Sequence, residues 1–129
     1  MGKRVLVVDD DPDILLYLDT LLGDHGYEVC TVDSTSTAGE ALAATSFDLL
    51  LLDVLLQGRS GLDLLLTVRS DDRSAHLPVV LLTGDDKVLE DRGRSYQPWQ
   101  GASRGADAVL GKPVQPDALL ATLRQLLPE

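Results

Sequence analysis

The chain has 129 residues, of which 44% are apolar, and this is enough for one domain with a sizeable core. Its net charge of −10 argues against direct nucleic-acid binding by this chain, because contact with phosphate groups requires a basic face. No segment approaches the roughly 20 apolar residues of a transmembrane helix, and the N-terminus lacks a signal-peptide layout, so we expect a cytoplasmic protein without a membrane partner.

Strand and helix signals alternate along the chain. Short apolar runs predict strands, and apolar residues at helical spacing predict helices. In chain order the predicted elements are a strand Lys3–Val8, a helix Pro12–Gly23, a strand Tyr27–Val32, a helix from Ser36 or Thr37 to Thr45, a strand Phe47–Asp53, a helix Leu62–Arg69, a strand Pro78–Thr83, a strand Ala108–Leu110 and a helix Asp117–Leu127.

Two local signals refine these elements. Asp11 followed by Pro12 is typical of an N-cap and a first helical residue, and Thr37 with Glu40 has the spacing of a capping box. Cys30, the only cysteine, falls in the second predicted strand. We therefore expect it to be a buried, inert thiol, since free cysteines are usually buried.

This alternation predicts an α/β domain with a doubly wound parallel sheet and helices on both faces. Residues 1–129 are expected to form a single domain. The exception to the pattern is Gly84–Arg104, where Gly93, Pro98 and Gly101 disfavour a long helix. A fourth helix between the fourth and fifth strands is therefore expected to be irregular or extended.

Acidic residues follow two of the buried strands. Asp53 comes directly after Leu49–Leu52, and Asp9, Asp10 and Asp11 follow the apolar run that ends at Val8. Carboxyl ends of parallel strands meet at one edge of a sheet, where open α/β folds bind ligands. Carboxylates held this close repel one another, which indicates a bound metal, covalent chemistry on one carboxylate, or both. The alternative is that Asp9, Asp10 and Asp11 only cap the first helix.

Four segments span essentially the whole chain. They are Val7–Pro12, Asp48–Asp53 with Gly61 eight positions after Asp53, Pro78–Thr83, and Gly105–Asp107 leading to Lys112 and Pro113. In this order they resemble the receiver domain of response regulators, the CheY-like domain of two-component signalling.

The resemblance implies a flavodoxin-like, five-stranded parallel sheet of strand order 2-1-3-4-5. It also implies that Asp53 is the phosphoacceptor, since a carboxylate can form an acyl phosphate. Mg²⁺ would be held by Asp9, Asp10, Asp53 and the backbone carbonyl of Leu55, because this ion prefers oxygen ligands. Thr83 would donate a hydrogen bond to a phosphoryl oxygen.

The resemblance further implies that Lys112 places a positive charge on another phosphoryl oxygen. The Lys112–Pro113 bond is expected to be cis, a form that is cheap only before proline. A sensor histidine kinase or a histidine phosphotransfer protein would be the donor. A downstream protein or a fused effector domain would receive the signal, and a phosphorylation-dependent dimer is compatible with this role.

The chain departs from the family pattern at the expected switch. Val109 occupies the position three before Lys112, where the family has an aromatic residue that rotates. The segment between Thr83 and Lys112 is also longer than usual. Within it, Tyr96 and Trp99 are candidate contact residues of a modified output surface, because such residues are enriched at interface hot spots.

Three classes of function follow from the sequence. The first is a phosphoacceptor receiver, which is not an enzyme beyond catalysing its own phosphorylation and dephosphorylation. The second is a receiver-like interaction module that works without phosphorylation. The third is an enzyme or cofactor protein on a similar sheet. A haloacid-dehalogenase-type phosphatase would need an aspartate at position 55, where Leu55 stands, and a flavodoxin would need a phosphate-binding loop after the first strand.

Overall fold

The computed structural model describes residues 2–56, 59–60, 62–84 and 106–127. Strands and helices alternate in this part of the chain as the sequence predicts. In chain order the elements are β1 (Arg4–Val8), α1 (Pro12–Asp24), β2 (Glu28–Val32), α2 (Thr35–Ala44), β3 (Leu49–Asp53), β4 (Leu55–Leu56), β5 (Arg59–Ser60), α3 (Leu62–Ser70), β6 (Val79–Thr83), β7 (Ala108–Gly111) and α4 (Pro116–Leu126).

Five of the strands form a parallel sheet in the order β2-β1-β3-β6-β7. Counting only these long strands, the order is 2-1-3-4-5, and the predicted flavodoxin-like α/β fold is confirmed. The remaining two strands, β4 and β5, pair with each other as a short antiparallel ribbon directly after β3. The ribbon therefore begins at the carboxyl edge of the main sheet.

The sheet separates two apolar layers. Side chains alternate along each strand, so every central strand contributes to both layers. One layer packs the sheet against α2 and α3 through Ala38, Leu64, Leu65 and Val68. The other packs it against α1 and α4 through Leu18, Leu22, Leu119, Leu120 and Leu123. Helices on both faces explain why the central strands are continuous apolar runs rather than alternating ones.

The starts of the first two helices show one confirmed and one wrong prediction. The Asp11 side chain accepts a hydrogen bond from the backbone N–H of Asp13, and Pro12 opens α1, as predicted. The cap of α2 is neither Ser36 nor Thr37. It is Ser34, whose hydroxyl accepts from the N–H of Thr37 at 3.1 Å. The run of hydroxyl residues offers several caps, and sequence alone does not choose among them.

The prediction of a buried Cys30 is wrong, because this thiol is exposed. The residue lies in β2, which pairs only with β1 and forms an edge of the sheet. On this edge strand Val32 alone is buried. The helices cover the central strands more fully than the edge, so a strand signal does not guarantee burial.

Most of the segment Gly84–Arg104, with Tyr96 and Trp99, lies outside the described residues, and its predicted irregular helix stays a prediction. The Lys112–Pro113 peptide bond is cis, as the family resemblance implied. None of the helices in the described part of the chain has the length and apolar character needed to cross a membrane.

Candidate functional site at the carboxyl edge of the sheet

The carboxyl ends of β1 and β3 bring the predicted acids together. Asp53 is the last residue of β3, and Asp9 directly follows β1. The N–H of Asp9 donates to the carbonyl of Val32, and the N–H of Asp11 donates to Asp9 Oδ1 at 3.0 Å. These bonds hold the loop after β1 against the edge of the sheet. The first helix begins within this loop.

Asp9, Asp10 and Asp53 form one carboxylate cluster. One side-chain oxygen from each lies within 4.8 Å of the others. Asp9 is fully buried, Asp53 is 5% exposed, and Asp10 is half-buried. Ionised carboxylates in such proximity repel one another, and a nearby positive charge offsets this repulsion. Asp11 is outside this cluster and caps the helix.

Lys112 supplies one positive charge to the cluster. Its ammonium lies 3.0 Å from Asp9 Oδ2 and 3.2 Å from Asp53 Oδ1. Burial lowers the pKa of Lys112, but its hydrogen bond to Asp9 and the attraction of Asp53 outweigh this effect, and the pKa is raised above the usual value. The lysine is therefore held in its charged form between the two carboxylates.

Thr83 and Leu55 complete the predicted set. Thr83 ends β6 and is buried, and its carbonyl accepts a hydrogen bond from the N–H of Lys112 at 2.8 Å. This bond joins the ends of β6 and β7 next to Asp53. Leu55 begins β4, two residues after Asp53, so its backbone lies close to the acid cluster along the chain. All predicted site residues thus belong to strand ends or loops of one edge.

The donor set fits a divalent oxygen-binding cation. Three carboxylates carry three negative charges, and Lys112 cancels one, so the cluster retains a charge of about −2 when all are ionised. Carboxylate oxygens are the ligands that Mg²⁺ and Ca²⁺ prefer, and thiols or imidazoles are absent from this group. The arrangement is therefore suited to a hard cation rather than to zinc.

One feature beside the site was missed in the sequence. Leu16 is 66% exposed and Tyr17 is 39% exposed, both in the first half of α1, the helix that follows the loop with Asp9 and Asp10. The Tyr17 hydroxyl donates to the carbonyl of Val114, which follows Lys112 by two residues. A signal for this was present, since Leu16 and Tyr17 fall off the apolar stripe that faces the core.

Together these features define an α/β domain of the receiver type, with an acidic cluster and a lysine at the carboxyl edge of a 2-1-3-4-5 sheet. The family model described as the response regulator receiver domain matches residues 5–124. The chain therefore belongs to the receiver domain family of two-component response regulators, as its motifs suggested.

Known proteins agree with this assignment. The chain is 35% identical to the transcriptional regulatory protein GltR of Pseudomonas aeruginosa, with 98% of the chain and 49% of GltR covered. The chemotaxis response regulator CheY4 of Vibrio cholerae is 28% identical, with a TM-score of 0.84 over 98% of the chain and 100% of that protein. The chain spans about half the length of the curated relatives that it matches.

A further solved structure shares the fold. The receiver domain of the sensor histidine kinase PA1611 from Pseudomonas aeruginosa is 22% identical, with a TM-score of 0.82 and full coverage of both chains. That structure is described as having a magnesium ion coordinated in its active site cleft.

Proposed function

We propose that the chain is a phosphoacceptor domain in which Asp53 receives a phosphoryl group from a sensor histidine kinase or a histidine phosphotransfer protein. The observation that carries this proposal is the cluster of Asp9, Asp10 and Asp53 with the Lys112 ammonium 3.2 Å from Asp53. A carboxylate so placed can act as a nucleophile. Membership of the receiver family supports the same role.

In the proposed step an oxygen of Asp53 attacks the phosphorus, the bond from phosphorus to the donor breaks, and an acyl phosphate forms on Asp53. The leaving electron pair stays with the donor's histidine nitrogen or, for a small donor, its carboxylate oxygen. Lys112 already lies beside Asp53, so its ammonium is placed to pair with a phosphoryl oxygen. The Thr83 hydroxyl would donate a hydrogen bond to another phosphoryl oxygen.

We further propose that Mg²⁺ is held by Asp9, Asp10, Asp53 and the backbone carbonyl of Leu55. When bound, the ion would neutralise charge on the carboxylates and on the incoming phosphoryl oxygens. The residual negative charge of the cluster supports this assignment. So does the magnesium ion described in the cleft of the PA1611 receiver domain.

Receiver domains interact with histidine kinases and effectors, and they are signalling domains rather than ordinary enzymes. For this chain we propose catalysis of at most its own phosphorylation and dephosphorylation. Its output would be a changed surface for a downstream protein, a fused effector domain or a second copy.

Since GltR is a transcriptional regulatory protein of about twice the matched length, absence of direct nucleic-acid binding remains a prediction for these 129 residues alone. A single domain over 1–129 and a cytoplasmic location also remain predictions.

The test is intact mass after incubation with Mg²⁺ and acetyl phosphate. Wild type should gain one phosphoryl group, and Asp53→Asn should gain none. Asp48→Asn, which changes the aspartate directly before β3 and therefore at the opposite edge of the sheet, should be phosphorylated like wild type. Equal labelling of wild type and Asp53→Asn would show that another residue accepts the group.

The second candidate is an interaction module that works without phosphate. The observation that favours it is Val109, which is half-buried and packs against the layer formed with α2 and α3. A valine in this position has no ring to move between buried and exposed sites. Absence of both the phosphoryl adduct and Mg²⁺ binding, in a folded protein, would favour this second function.

A further inference from the structure

A concave site lies at the edge of the sheet opposite the acid cluster. Its floor is formed by residues just before β3 and β6, including Phe47, Asp48 and Leu77. The carboxyl halves of α2 and α3 form its walls. The cavity volume is about 530 Å³, within the range of sites for small organic molecules. The proposed phosphoryl chemistry uses none of these residues.

Gly39 keeps one wall of this cavity open. It lies inside α2, where glycine disfavours the helix by about 1 kcal/mol relative to alanine. An added Cβ would meet no atom within 4 Å, and the φ angle of Gly39 lies outside the positive range that favours glycine. Neither backbone conformation nor close packing therefore requires a glycine here. Its structural effect is free space on the helix face that it shares with Leu42 and Ala43.

The cavity wall has a negative electrostatic character. Asp48 contributes a half-buried carboxylate whose Oδ2 also accepts from the N–H of Arg4 at 2.8 Å. The C-terminal end of α2 faces the cavity, and its last turn contains no basic residue to offset the partial negative charge of a helix end. The lining also contains His76 and the pair Arg73–Asp71, whose charged groups lie 3.0 Å apart and offset each other, so that Asp48 is the carboxylate without an opposite charge among the described residues of the lining.

We propose that this cavity, lined by Gly39, Leu42, Phe47, Asp48 and Leu77, binds a small organic cation with an apolar body. The side chains of Phe47 and Leu77 would take the hydrophobic part of the molecule. Asp48 and the end of α2 would attract an ammonium group. This binding site is separate from the phosphoacceptor edge, and its existence does not depend on phosphorylation of Asp53.

The test is a ¹⁵N-amide NMR titration with three probes of similar shape, in excess Mg²⁺ so that amines do not occupy the acid cluster. The probes are 4-phenylbutylamine, the neutral 4-phenylbutanol and the anionic 4-phenylbutyrate. The amine should shift the amides of Gly39, Leu42 and Leu77 with a Kd of about 1 mM or lower. It should bind about two- to fivefold tighter than the alcohol, as one partly exposed charge pair allows.

Two substitutions of Gly39 distinguish an effect of filling the cavity from an effect on the stability of α2. Gly39→Leu fills the space, whereas Gly39→Ala changes helix propensity with little added volume. Both should raise Tm by about 4 °C, because both remove a helix-interior glycine. Only Gly39→Leu should weaken amine binding, by about tenfold or more. Asp48→Asn keeps an acceptor for Arg4 and should abolish the preference for the amine over the alcohol.

Three results would overturn the proposal. One is equal amine binding by Gly39→Leu and Gly39→Ala, which would place the ligand elsewhere. Another is binding of the butyrate as tight as that of the amine, which would contradict a negative site. The third is the absence of saturable shifts in residues of this cavity.

Discussion

Replacing Arg69 with methionine should destabilise the fold more than any other single change considered for this chain. The Arg69 side chain is fully buried near the end of α3. Its Nη1 donates to the carbonyls of Ala75 and Leu77 at 3.1 and 2.6 Å, and its Nη2 lies 3.1 Å from Asp107 Oδ2. Asp107 Oδ2 also accepts from the N–H of Val79 at 2.8 Å. One guanidinium thus joins α3, the following loop and the starts of β6 and β7.

Methionine would preserve the buried volume and remove every one of these donors. Each hydrogen bond to a charged group contributes about 1.5–3 kcal/mol, but desolvation of the buried arginine offsets part of the sum. Removing the guanidinium takes a donor from two loop carbonyls and the cation from Asp107, whose side chain is 21% exposed and keeps the N–H of Val79. The free energy of unfolding should therefore fall by about 2–4 kcal/mol.

The assay is urea unfolding followed by circular dichroism. The slope m of the unfolding free energy against urea concentration should be the same for wild type and variants. Arg73→Met is the matched control, because the Arg73–Asp71 pair lies in the adjacent loop with both side chains exposed, and its loss should change stability little. Adding Asp107→Asn to Arg69→Met should cost less than the sum of the two single changes, with a coupling of about 1–3 kcal/mol. A loss below about 1 kcal/mol for Arg69→Met would refute the reasoning, since it would place the guanidinium in water.

Three further predictions concern the site and the edge strand. The ion pairs of Lys112 with Asp9 and Asp53 raise the pKa of the lysine. The stability that these pairs contribute is complete below about pH 10.4 and is lost as the pH rises through the folded-state pKa of Lys112. In EDTA, the unfolding free energy of wild type should thus fall more steeply above that pH than that of Lys112→Met, and parallel curves would contradict this. Also in EDTA, Asp53→Asn should raise the free energy of unfolding by about 1 kcal/mol. The substitution removes repulsion from two carboxylates and loses one attraction to Lys112. Excess Mg²⁺ should remove this gain. Native protein should react with Ellman's reagent at Cys30 as fast as unfolded protein, and protection by folding would mean that the thiol is covered.

The sequence was sufficient for the sheet and for the placement of the acids. Continuous apolar runs at Val5–Val8 and Leu49–Leu52 are short, as is typical of strands covered on both faces, and a carboxylate directly after such a strand lies at the carboxyl edge of the sheet. The position of Lys112 followed from the family motif rather than from physical reasoning. Its contacts with Asp9 and Asp53 join residues far apart in the chain, and only the fold brings them together.

Features that depend on one side of an element were harder to predict. Cys30 lies in a predicted strand whose apolar run Glu28 and Thr31 interrupt, and this strand forms an edge of the sheet. Arg69 looks like an ordinary basic residue in the last turn of a helix, a position that favours exposed cations. Its burial depends on Asp107, 38 positions later, and on two loop carbonyls. No local pattern encodes these partners.

The two edges of the sheet separate function from stability. At the carboxyl edge, three acids and one lysine leave excess negative charge, which favours ligand binding over stability. At the amino edge, the Arg69–Asp107 pair joins the starts of β6 and β7. Strands of five residues separate the edges by about 16 Å. At that distance the effects of Asp53→Asn and Arg69→Met on the unfolding free energy should add, because mutations at sites this far apart are usually independent. A coupling above about 0.5 kcal/mol would mean that the sheet transmits strain between its edges.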